Sequence, residues 1–300
     1  MNIERKKDYP KSIFKYCHLK NENYINNLIE NEIWLSNPLG FNDPYDCSVT
    51  FDNDKINEIL IKNNIKNILE DFPEDEISLN DKQIILSSEN PKEKMLSIIH
   101  STIQTPVGKQ ELSNILNIES PKINKKITDN FNKLYKKKLK VSSFSEDNQS
   151  LLMWGHYADN HKGFSIEYDI GQMPDDENLK KYLFPIEYTN TIYDITDYYI
   201  DNVINKNNTR PNDLIQSVLY KSKSWEYEKE WRFVITNTEC SDNVVKVPKP
   251  KAIYLGSSIN ESHRNQLIEL GKKNDIPIFQ MQVDDKYYKM NIKTIEELEL

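Results

Sequence analysis

The sequence predicts an α+β protein with a helical insertion, on three observations. Short strand patterns open the chain, a long stretch with helical spacing follows, and strands interleaved with short helices fill the remainder. The elements lack the regular alternation of a doubly wound sheet, and no glycine-rich phosphate loop is present. Residues 1–50 and 139–300 are assigned to an α+β part of catalytic type, and residues 51–138 to a helical layer packed on it.

The elements follow in order. Ser12 to Cys17 is a strand candidate, and Asn23 starts a helix through Leu28 and Ile29, with asparagine suited to a cap. Glu32 to Ser36 is a second strand, broken by Asn37-Pro38-Leu39-Gly40. In the insertion, Ile56, Leu60, Ile61, Ile65 and Leu69 form one helical series and Leu96, Ile99 and Ile103 another. Leu112, Ile115 and Leu116 continue the pattern, and Ile123, Ile127, Phe131 and Leu134 close it, giving three to five helices. The lone His100 is read as structural. Beyond it, Lys140 to Ser145 is a strand, Leu151 to Asp159 a short helix, and Gly163 to Tyr168 and Tyr182 to Tyr188 are strands. Two helical stretches lie in residues 191–224, the second near Pro211, a residue suited to a first turn. A strand is expected from Trp225, then Ala252 to Leu255, a helix from Glu261 to Lys272, and strands at 276–282 and 286–291.

Composition narrows the function classes. A net charge of −8 argues against a general nucleic-acid binder, because phosphate contacts require a basic surface. No apolar run is long enough to span a bilayer, and the first residues lack the apolar core of a signal peptide. Cys17, Cys47 and Cys240 are few, odd in number and without metal spacing, as expected of free thiols in a reducing cytoplasm.

Four constellations are able to carry chemistry. Phe14-Lys15-Tyr16-Cys17-His18 ends the first strand, and His18 is either a ligand-binding group or a histidine bonded to a backbone carbonyl. Phe41-Asn42-Asp43-Pro44-Tyr45-Asp46 is a turn former, in which Asn42 or Asp43 either shapes a cleft or closes the turn locally. Ser143-Phe144-Ser145 precedes Met153-Trp154-Gly155-His156-Tyr157-Ala158-Asp159-Asn160-His161-Lys162-Gly163-Phe164. His156 and His161 are five apart, which discounts a helical metal pair; Tyr157 suits stacking on a flat ligand or a place in the core, and Trp154 belongs in the core. Finally, Trp225-Glu226-Tyr227-Glu228-Lys229-Glu230-Trp231-Arg232 reads as a strand with Glu228, Glu230 and Arg232 on one face and Trp231, Phe233 and Ile235 on the other. Two neighbouring carboxylates repel; they are either a solvated strand edge with Lys221, Lys223 and Lys229 nearby or, between two tryptophans, a pair that stabilises positive charge on an oxocarbenium-like centre or a bound cation.

Taken together, Phe14-Lys15-Tyr16, Phe41 to Asp46, Ser143 to Ser145, Met153 to Phe164, Trp225 to Arg232 and Ile253-Tyr254-Leu255-Gly256 resemble a widespread bacterial family classed as a domain of unknown function. The likeness covers residues 12–50 and 139–256. More remotely, the order of parts resembles the ADP-ribosyltransferase superfamily. Its members open with a strand bearing His or Arg, carry Ser-x-Ser or a tyrosine in a central segment, and place the catalytic glutamate on a late strand. His18 matches the first part, Ser143 and Ser145 or Tyr157 the second, with Tyr157 preferred, and Glu228-Lys229-Glu230 the third. The resemblance implies a split, mixed or antiparallel sheet with NAD bound in the cleft between its halves. Glu230, Glu228, Tyr157 and His18 would be catalytic. Lys15, Tyr16, Asn42, Asp43, Ser143, Ser145, His156 and Arg232 would contact NAD. Tyr157 would stack on nicotinamide, Glu228 would orient the nucleophile, and Arg232 would balance the carboxylates or bind pyrophosphate.

The expected function is therefore an ADP-ribosyltransferase or NAD glycohydrolase, in the manner of a toxin or anti-phage defence effector, with a macromolecular acceptor and a regulatory partner protein as further components. Two other readings stand beside it. One is a nuclease in which Asp43, Asp46, Glu167, Glu228 and Glu230 converge on Mg²⁺. The other is a non-enzymatic module that binds a partner protein.

Overall fold

A computed structural model describes residues 8–20, 23–102, 125–207, 213–236 and 242–296. The strands in chain order are β1 (Ser12–Cys17), β2 (Glu32–Trp34), β3 (Val49–Thr50), β4 (Leu139–Ser145), β5 (Phe164–Asp169), β6 (Leu183–Pro185) and β7 (Glu187–Thr189). Then come β8 (Tyr193–Asp194), β9 (Tyr220–Ser222), β10 (Glu230–Thr236), β11 (Val244–Lys246), β12 (Ala252–Leu255), β13 (Ile278–Val283) and β14 (Met290–Thr294). Two compact units emerge. One comprises Met1–Ser48, Lys133–Ile192 and Ile215–Leu300; the other comprises Val49–Asn132 and Tyr193–Leu214.

The first unit is built on a sheet ordered β14-β13-β12-β5-β1-β4-β10-β6, mixed because β12 and β13 run parallel while the other pairs are antiparallel. Side-chain alternation gives each strand two different faces. Ile13 and Cys17 of β1, Phe144 of β4 and Trp231, Phe233 and Ile235 of β10 enter one apolar core with Phe164, Ile166 and Leu267. Burying a side chain such as Phe233 contributes roughly 1.5–3 kcal/mol. The intervening residues, Tyr16 of β1, Ser143 and Ser145 of β4 and Glu230 and Arg232 of β10, fall on the other face. There Tyr16 packs with Met153, Trp154 and Tyr254.

The sheet parts between β1 and β4. β1 pairs with β5 from Ser12 to Cys17, and β4 pairs with β10 along its whole length, but β1 and β4 share only Phe14↔Ser145. Backbone polar groups of β4 beyond that pair still require partners. Ser36 exchanges hydrogen bonds of 2.8 and 2.9 Å with Val141, and Lys15 Nζ donates to the Ser143 carbonyl at 3.0 Å.

The second unit, taken by itself, contains the helices Asn53–Asp71, Leu79–Ser87 and Pro91–Thr102 and the parallel pair β3–β8. Ile65, Leu69, Ile77, Ile85 and Met95 form its core. Asp52 caps the first of these helices: its side chain accepts from Lys55 N and so satisfies a first-turn donor. The expected series through Leu112, Ile115, Leu116 and Ile123, the His100 side chain and Pro211 lie outside the described residues.

Several expectations need correction. The strand expected from Trp225 begins at Glu230; Lys223–Glu228 is a 3-10 helix, capped by Ser222 Oγ and ended by Lys229 in the left-handed region at φ 44°. Tyr182 to Tyr188 is two strands, because β6 continues the main sheet while β7 pairs with β9. The last two strands shift to 278–283 and 290–294, since the Asp284 carboxylate accepts from Lys286 N and Tyr287 N and holds the intervening residues in a turn. The helix from Leu151 ends at Tyr157, and Asp159, Asn160 and His161 all adopt positive φ.

Gly163 closes this reversal. A Cβ there would lie 2.1 Å from the Cys17 carbonyl oxygen and 3.0 Å from that of Ala158, so any larger residue must push backbone aside. Gly163→Ala should therefore lower stability by about 1–3 kcal/mol or more, seen as a lower urea midpoint with an unchanged slope. An unmoved midpoint would contradict this close packing at the end of β1.

Candidate functional site

A cleft of about 240 Å³ opens where β1 and β4 diverge. β1 contributes Phe14, Lys15 and Tyr16, with His18 just beyond it; β4 contributes Val141 and Ser143; and Glu228 and Glu230 come from the start of β10 and the turn before it. His156 and Tyr157 reach the cleft from the helix Leu151–Tyr157, whose first turn is capped by Ser150.

Behind this wall lies a buried charge cluster. Arg232 is wholly enclosed, at 0% exposure. Its Nε donates to Glu230 Oε1 at 2.7 Å, and one terminal nitrogen donates to Glu230 Oε2 at 3.0 Å and Asp46 Oδ2 at 2.8 Å. The other donates to the Val218 carbonyl at 2.7 Å and Cys47 Sγ at 3.2 Å. Every guanidinium N–H thus has an acceptor. Lys221 Nζ, also buried, donates to Glu228 Oε2 and, at 2.9 Å, to Glu230 Oε2, and lies 3.8 Å from Asp46 Oδ2. Three carboxylates therefore face two cations.

The two glutamates titrate in opposite directions. Burial alone pushes the Glu230 carboxyl up, but Arg232 and Lys221 outweigh it and hold the group at about 2. Burial pushes the Glu228 carboxyl up and prevails over the pull of Lys221, with the Glu230 charge acting in the same direction. Tyr157 donates its hydroxyl to Glu228 Oε1 at 2.5 Å; burial, then the Glu228 charge, raises the phenol. Lys15 is lowered by burial. His18 packs edge-on against Tyr24, and its buried Nδ1 has no hydrogen-bond partner among the described residues.

The lining thus brings together Lys15, Tyr16, His18, Asn42, Ser143, His156, Tyr157, Glu228 and Glu230. Three residues expected to contact a ligand stand behind it. Ser145 is buried and donates to the Glu228 carbonyl at 2.6 Å, so it fixes the turn before β10. Asp43 accepts from Tyr45 N and from Trp225 Nε1, both at 2.8 Å, and so ties its loop to the 3-10 helix. Arg232 faces the carboxylates from inside. Tyr16 presents its ring, since its hydroxyl is committed to the Asp147 carbonyl at 2.6 Å. Trp154 is core, as expected.

Sequence reasoning missed Lys221 as a site residue. It stands among other lysines, and only the fold shows that it is enclosed while Lys223 is exposed. The five carboxylates of the nuclease reading do not converge. Glu167 lies instead with Ser12, Lys251 and Tyr254, at 2.6 to 2.7 Å. Among the described residues no group of three or more His, Cys, Asp or Glu is placed to hold a metal ion. Nor is any described helix long and apolar enough to cross a membrane.

Fold and site define a mixed α/β protein with a cleft set into the opening of its sheet. Residues 153–233 match the model of a family described as a protein of unknown function, DUF2971. The matched segment carries Tyr157, Lys221, Glu228, Glu230 and Arg232, while His18 and Asp46 precede it. No curated protein and no solved structure matches the chain.

The depressed Glu230 carboxyl makes stability depend on pH. Its ion pairs stabilise the fold above the ordinary carboxylate range, and that contribution is lost as pH falls through about 2. Glu228, being raised, acts in the opposite sense, so the informative quantity is the difference between wild type and Glu230→Gln. At neutral pH the variant should be less stable by about 3–5 kcal/mol, the cost of breaking a buried pair. The gap should narrow on acidification towards pH 2 in urea titrations; a gap independent of pH would contradict the pairing.

Proposed function

We propose that this chain is an ADP-ribosyltransferase-like enzyme that breaks the bond between nicotinamide and ribose in NAD, passing ADP-ribose to a macromolecular acceptor or to water. One observation carries the reading. The parting of β1 from β4 gathers His18, Tyr157, Glu228 and Glu230, from distant parts of the sequence, around one cleft. The residues suit such a substrate: His18 Nδ1 is a buried polar atom without a partner among the described residues, and aromatic rings stand beside carboxylates.

Breaking that bond leaves positive charge on the ribose. Glu230, kept ionised by Arg232 and Lys221, supplies the opposing charge in a site where water is restricted. His18 offers a hydrogen bond to the substrate, and the Tyr157 ring provides a flat apolar face. Glu228 carries the complementary role. Its raised carboxyl and its hydrogen bond to Tyr157 suit it to orient an incoming nucleophile and take up its proton.

Incubation of the purified protein with NAD should release nicotinamide. Glu230→Gln should reduce turnover by about 10²–10³, the usual cost of removing a group that stabilises developing charge. His18→Ala should chiefly raise KM. Equal release by wild type and Glu230→Gln, or none by wild type, would overturn the assignment.

A further inference from the structure

Lys221 has no counterpart among the motifs that suggested NAD chemistry, yet it touches both cleft carboxylates. It comes from β9, which pairs with β7 and not with β10, so it approaches Glu230 from outside the main sheet. The 3-10 helix Lys223–Glu228 starts two residues after it and ends on Glu228, and the Ser222 cap fixes where that helix starts. Its ammonium also lies over the Trp225 ring, 5.2 Å from the centroid. The side chain is therefore held by a carboxylate on each side and an aromatic face.

We infer that Lys221 is the positioning residue that holds Glu228 and Glu230 side by side facing the cleft, offsetting the repulsion between the two carboxyl groups. Two carboxylates that share a desolvated site repel, and without an intervening cation one of them takes up a proton. Arg232 does not serve both. Its N–H groups reach Glu230, Asp46, Cys47 and Val218, and none reaches Glu228. Tyr157 supplies Glu228 with a hydrogen bond but no charge. The charged groups that bear on the pair are thus Lys221 from β9, Arg232 from β10, Asp46 from the loop after residue 41, and Lys15 from β1, whose ammonium feels the Glu230 charge. Of these, Lys221 alone contacts both glutamates.

The kinetic consequence rests on the NAD reading; the electrostatic one does not, and the test separates them. Carbon-13 NMR of labelled glutamate carboxyls, with Glu228→Gln identifying the resonance, follows the protonation of Glu228 directly. In Lys221→Met it should titrate at higher pH than in wild type, and in Lys221→Arg it should stay near the wild-type position. Exposed Lys223→Met should leave it unmoved. If Lys221→Met does not fold, Lys221→Gln, which keeps a donor without the charge, serves in its place. In nicotinamide release, the acidic limb of the pH profile should move to higher pH for Lys221→Met, with turnover near neutrality reduced about tenfold or more. Lys221→Arg should restore the profile. An unmoved Glu228 titration overturns the inference, as does activity that falls equally at every pH. Absence of nicotinamide release from wild type would sink the NAD reading alone, since the NMR titration still decides the role of Lys221.

Discussion

A guanidinium with no access to water has to place every N–H on protein, and Arg232 does so. The alternative is a buried cation with unsatisfied donors, which costs several kcal/mol. Its acceptors are four residues in three places: Glu230 on its own strand, Asp46 and Cys47 at the end of the Phe41 loop, and Val218 ahead of β9. The fork therefore fixes the back wall of the cleft. Loop, strand and the approach to β9 meet at one planar group; Lys221 joins it through the shared Glu230 carboxylate, and Glu228 joins through Lys221.

The opening lies in front of that wall. β1 is bound along its length to β5 and β4 along its length to β10, while β1 and β4 share one pair. A gap of this kind exposes backbone groups unless something replaces the missing ladder. Ser36 and the Lys15 ammonium do so at Val141 and at the Ser143 carbonyl. Lys15 thus serves both the sheet and the site.

Much of this was legible where the information is local. The turn residues after Ser36, the helix starting at Leu151 and the alternation of Trp231, Phe233 and Ile235 against Arg232 each depend on neighbours in sequence, and each appears in the structure. The stretch from Trp225 to Lys229 misled for the same reason. Its alternating aromatic and charged residues imitate a strand, but the Ser222 cap and the left-handed Lys229 make it a helical turn. A non-glycine residue in that region costs of order 1–3 kcal/mol, and tertiary contacts hold it there. One such contact is the bond from Glu146 N to the Lys229 carbonyl at 3.1 Å. What no pattern reveals is pairing across the chain. Asp46 and Arg232 stand 186 residues apart. The burial that sets Lys221 apart from Lys223 two positions later belongs to the fold and not to either side chain.

The most direct test is a crystal structure of the Glu230→Gln variant with NAD. The account predicts the dinucleotide lodged between β1 and β4, its nicotinamide beside Tyr157 and a ribose within hydrogen-bond reach of His18. NAD bound elsewhere on the molecule, or a cleft that stays empty at saturating NAD, would contradict it.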